Sequence, residues 1–108
     1  MANAEKTFNS LIENSSDNSE VEKARMFSFD SITVRGKTFA LLDGDSMVFK
    51  LSGKARAQAL ALDGAVLWNP FRHQKKEWVQ IPFVYISDWE EYAVTAMDYV
   101  ESPIKVLP

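Results

Sequence analysis

Two turn signals punctuate the stretch from Ile32 to Leu51 and constrain this chain more than anything else in it. Arg35-Gly36 can reverse the chain, and Asp43-Gly44 is a strong hairpin dipeptide because both residues tolerate positive φ. Between and around them lie Ile32 to Val34, Lys37 to Leu42 and Met47 to Leu51, runs of β-branched, aromatic and aliphatic residues. Strands joined this tightly must pair antiparallel. In the third run Met47, Phe49 and Leu51 alternate with Val48 and Lys50, which puts the first set toward a core and Lys50 on the more open face.

The flanks supply helices. Phe8, Leu11 and Ile12 share one helical face between Ala4 and Glu13, and the polar run Asn14 to Ser19 ends that helix. Val21 to Ala24 reads as a short turn and Met26 to Phe29 as a short apolar strand. Ser52 is placed to cap a helix from Gly53 to about Leu62, with Gly64 as terminator. Ala65 to Trp68 and Trp78 to Ile81 read as two further strands. A capping box, Ser87-x-x-Glu90, opens the last helix, whose stripe is Trp89, Tyr92, Ala93, Ala96 and Val100. Trp68, Trp78 and Trp89 are assigned to the core. This order predicts an α+β two-layer sandwich, a mainly antiparallel sheet with helices on one face.

A chain of 108 residues can bury one core, so a single domain is expected over 1–108, its core about 5–101 and its C-terminal tail loose. The absence of cysteine removes disulfides, thiolate metal sites and cysteine nucleophiles. No apolar run is long enough to span a membrane, and the polar N-terminus has no signal-peptide core, so the expected location is the cytoplasm. The net charge of −3 hides an asymmetry: both ends are acidic, whereas Arg25 to Gln80 is net basic.

Most apparent motifs fail on spacing. Gly36-Lys37-Thr38 copies the end of a phosphate-binding loop, but Ser31 stands where the first glycine belongs and a strand, not a helix, follows. An EF-hand counted from Asp43 has Val48 at its glycine position and Lys54 at its glutamate position. His73 has no second histidine or cysteine to share a metal or a triad with. Glu90 and Glu91 are adjacent on a helix and point apart, so they cannot act on one substrate. No catalytic residue, cofactor or metal is therefore expected. What remains is a basic, aromatic-flanked segment: Arg72, Lys75 and Lys76, with Lys50, and with Arg35 and Lys37 as peripheral candidates. Cations suit phosphates or acidic partners, and aromatic faces suit stacking.

In order and spacing, several short motifs resemble the N-terminal domain of TfoX/Sxy proteins and, more distantly, the MmcQ/YjbR group. They are Arg25-Met26-Phe27, Val34-x-Gly36-Lys37-x-Phe39-Ala40-Leu41, Val48-x-Lys50-Leu51, Asn69-Pro70, Lys76-Glu77-Trp78-Val79, Pro82, Asp88-Trp89 and Tyr99-Val100. The likeness spans roughly Phe8 to Val100. Where that family usually has Gly after Met-Phe, Ser28 stands here. The resemblance implies an α+β two-layer domain and a bacterial role in transcriptional regulation of competence, in which full-length members carry a second, C-terminal domain. With Pro108 as the last residue, the expectation is a chain without that second domain.

The expected function is thus a non-enzymatic protein-interaction module linked to transcriptional regulation, a competence-type regulator lacking the C-terminal domain. The alternative is weak direct nucleic-acid binding through the basic loop 72–76. A protein partner is expected, a membrane is not, and a homodimer is compatible with the sequence.

Overall fold

A computed structural model describes residues 2–14, 20–70 and 76–101. Helix α1 (Ala2–Asn14) precedes four strands, β1 (Val21–Met26), β2 (Phe29–Val34), β3 (Lys37–Asp43) and β4 (Ser46–Lys50). Helix α2 (Gly53–Leu60), β5 (Val66–Leu67) and β6 (Trp78–Ile81) follow, then a 3-10 helix (Phe83–Asp88) that runs into α3 (Trp89–Glu101). The sheet has six strands in the order β1-β2-β3-β4-β6-β5. Every neighbouring pair is antiparallel. The α+β architecture read from the sequence is the one observed.

Tight turns build the meander. Arg35 and Gly36 both have positive φ (53° and 78°), the combination that matches the twist of two hairpin strands. At the next turn Asp43 pairs with Ser46, so the central residues are Gly44 and Asp45, one position later than expected; only Gly44 is left-handed. The expected turn at Val21 to Ala24 is strand β1 instead. Its hairpin to β2 closes through Phe27 and Ser28, at φ 52° and 73°. That two-residue turn splits what reads in sequence as one apolar run, Met26 to Phe29.

A register shift between Ile32 and Thr33 lets Phe39 and Ala40 both join the core under the helices. That core gathers Phe8 and Leu11 of α1, Ala59 of α2, and Ala93, Ala96 and Val100 of α3. These pack against Ile32, Val34, Met47, Phe49, Val79 and Ile81 of the sheet. The three helices therefore cover one face. The expected alternation in β4 is present: Met47, Phe49 and Leu51 are buried in this core while Lys50 is half-buried outside it.

The opposite face carries a smaller core of Leu41, Val48 and Trp68, with Met26, Phe29 and Trp78 packed against it. Trp68 is 1% exposed and its Nε1 donates to Asp43 Oδ2 at 2.9 Å. Its ring lies 5.4 Å from that of Phe29, edge to face. In a flat sheet β2 and β5 would sit roughly 19 Å apart, four strand spacings. A tryptophan side chain bridges only part of that, so the sheet curls toward this face and the indole closes the curl.

Two helix details differ from expectation. Ser52 occupies the N-cap of α2 but makes no side-chain cap bond. The Ser87–Glu90 capping box does not form, because Ser87 lies inside the 3-10 helix that feeds α3 directly.

Candidate functional site

Three neighbouring strands have termini at one end of the sheet: the start of β3, the end of β4 and the start of β6. The last turn of α3 packs beside them. Between them opens a cleft of about 440 Å³ lined by Met26, Lys37, Thr38, Lys50, Trp78, Tyr99 and Val100. Antiparallel pairing of β4 with β6 places Lys50 directly opposite Trp78. Its Nζ stands 5.8 Å from the Trp78 ring centroid, within cation–π reach.

Glu77 organises the polar side. Its Oε1 lies 3.9 Å from Lys50 Nζ, and its Oε2 accepts a hydrogen bond from Tyr99 Oη at 2.7 Å. Its backbone oxygen accepts from Leu51 N at 2.8 Å, which fixes where the side chain starts. The bond to the Glu77 carboxylate, and after it burial, raises the Tyr99 phenol above its ordinary range, while Ser52 pulls the other way. The Lys50–Glu77 pair is long and partly exposed, so it holds Lys50 only weakly.

The sequence candidates separate in space. Lys37 and Lys50 both line the cleft. Lys76 is exposed just before Glu77, and its carbonyl accepts from Arg56 Nε at 2.6 Å, which ties α2 to the start of β6. Arg35 is engaged elsewhere. It pairs with Glu20 and stands 4.0 Å from Glu101, and the hydrogen bond to Glu20 raises its already high pKa. Arg72 and Lys75, with Phe71 and His73, lie outside the described residues. Trp68 and Trp89 are core as expected, at 1% and 0% exposure. Trp78 is not: it is half-buried and forms a wall of the cleft.

Met26, Thr38, Glu77, Tyr99 and Val100 were not legible as site residues. Each belongs to an element whose periodicity explains it as strand, turn or helix. The pairing of β3, β4 and β6 with α3 packed beside them gathers Thr38, Glu77, Tyr99 and Val100, and the curl of the sheet adds Met26. Phe27, 49% exposed, adds an aromatic edge nearby, its ring 6.4 Å from Trp68. Among the described residues no group of His, Cys, Asp or Glu could hold a metal, and no helix is long and apolar enough to cross a membrane. No family model, no curated protein and no solved structure matches this chain.

Proposed function

We propose that this chain is a non-enzymatic, TfoX N-terminal-like protein-interaction module linked to transcriptional regulation, and that the face opposite the helices is its contact surface. One observation carries the reading. The helices cover one side of the sheet, whereas on the other Met26, Phe29 and Trp78 remain half-buried beside exposed Phe27, with Lys37 and Lys50 at the margin. Aromatic and methionine side chains ringed by cations are the composition of a protein-contact patch. The overall charge of −3 disfavours long-range attraction to nucleic acid. Of the candidate cations described, Lys50 and Arg35 already face carboxylates.

Photo-crosslinking in cells tests this, with a benzophenone side chain at position 27 and, as control, at exposed Val94 on α3. A discrete adduct from position 27 alone, lost on Lys50→Glu, is the expected result. No adduct from position 27, or equal adducts from both positions, removes the reading. The nucleic-acid alternative is separated by fluorescence anisotropy of duplex DNA. Saturable, salt-sensitive binding abolished by charge reversal at Arg72, Lys75 and Lys76 would replace the protein-contact reading.

A further inference from the structure

The cleft has a shape and chemistry that protein contact alone does not use. We infer that it is a binding site for a small aromatic anion, a ligand with a flat apolar body and one phosphate, sulfate or carboxylate group. It shares Met26, Trp78, Lys37 and Lys50 with the margin of the proposed contact surface, and a ligand titration tests it separately from crosslinking at position 27.

Size comes first. A volume of about 440 Å³ falls in the range of small-ligand clefts and suits a one- or two-ring molecule. Its walls are of two kinds. Trp78, Met26 and Val100 offer an aromatic face, a polarisable thioether and an aliphatic surface, which together suit a flat ring. Lys37, Lys50 and Thr38 complete the lining, two cationic residues and a hydroxyl-bearing one.

The cations are poorly matched within the protein. Lys37 has no carboxylate within ion-pair distance among the described residues, and Lys50 has only Glu77, at 3.9 Å. An anion entering the cleft would therefore gain two cations against one competing carboxylate. The Gly36-Lys37-Thr38 triplet, which cannot form a phosphate-binding loop, acquires a role here. The turn delivers Lys37 and Thr38 to the cleft from the first two positions of a strand. Neither half of such a ligand suffices. A neutral ring leaves the lysines unanswered, and a bare anion leaves the apolar wall wet.

Titrating 2-naphthyl phosphate into nitrogen-15-labelled protein, following the Trp78 indole N–H resonance assigned with Trp78→Phe, tests the inference. The expected result is a saturable shift, with 2-naphthol and inorganic phosphate each about tenfold weaker or more, the order expected of one charge-assisted contact or one ring's burial. Lys37→Gln and Lys50→Gln should each weaken binding. Glu77→Gln should tighten it, because the competing carboxylate is gone, an effect that general loosening of the fold would not produce. Equal binding of 2-naphthol would overturn the inference. So would undiminished binding by the folded Lys37→Gln/Lys50→Gln double variant, or no saturable shift at millimolar 2-naphthyl phosphate.

Discussion

Glu77 holds two neighbours at once, accepting from the Tyr99 phenol with one oxygen and facing Lys50 with the other. Ionising Tyr99 would set a phenolate against that carboxylate in a partly buried spot, so the folded chain keeps the phenol proton to higher pH than the unfolded chain does. Tyr92 is shifted the same way, by burial first and then by the charges of Asp88 and Glu91. A proton held more tightly by the folded state stabilises it as long as the unfolded chain also keeps its proton. That contribution is complete below the ordinary tyrosine value of 10.0 and is lost as pH climbs through the higher folded value. Urea midpoints measured from pH 8 to 11 should therefore fall above about pH 10. Tyr99→Phe should remove part of that fall and leave the part due to Tyr92. A full alkaline fall in Tyr99→Phe would place its cause elsewhere.

Hairpins and helix starts show what local sequence can and cannot specify. Arg35-Gly36 was legible because glycine at φ 78° is a turn residue wherever it stands. Phe27-Ser28 was not, since neither residue advertises positive φ, yet they take 52° and 73°. The pairing of Val21 to Met26 along β2 imposes that turn, and the left-handed conformation costs an ordinary residue about 1–2 kcal/mol. Ser28→Gly should raise stability by about 1 kcal/mol in chemical denaturation, because glycine takes this φ without strain. A loss would mean that the hydroxyl, not the backbone, matters there. The capping box at Ser87 is the reverse case, a local signal overruled. Its spacing is right, but Pro82 starts a 3-10 helix one turn earlier, and Ser87 is then interior to it. Ser87→Ala should accordingly change stability by less than about 0.5 kcal/mol, whereas loss of a working cap would cost about 1 kcal/mol. The fold class, the meander and the stripe of α3 were readable because periodicity and turn chemistry are local. The cleft was not, because Lys50 and Tyr99 meet only when α3 docks beside the strand ends, and Met26 joins them only through the curl of the whole sheet.

That curl divides the molecule into two cores on opposite faces of shared strands. In β3, Ala40 points to the helix-side core and Leu41 to the smaller one; in β4, Phe49 and Val48 divide likewise. Neither core can be lost while the other keeps its strands, because each is built from alternate residues of the same backbone. Trp68 closes the smaller core and Trp89 sits in the larger, so each indole reports on one of them. Two equilibrium unfolding curves follow from this. One is the fluorescence of Trp68 in a Trp78→Phe/Trp89→Phe background, and the other is far-UV circular dichroism of the same variant. They should coincide in midpoint and slope, as two-state unfolding requires. Earlier loss of the Trp68 signal would mean that the smaller core opens by itself, with the sheet flattening while the helices stay docked. The cleft would then be a transient feature of the closed sheet, since Trp78 and Met26, which wall it, pack against that same core. Coincident curves tie the persistence of the cleft to global stability, so that any ligand held there stabilises the entire fold by mass action.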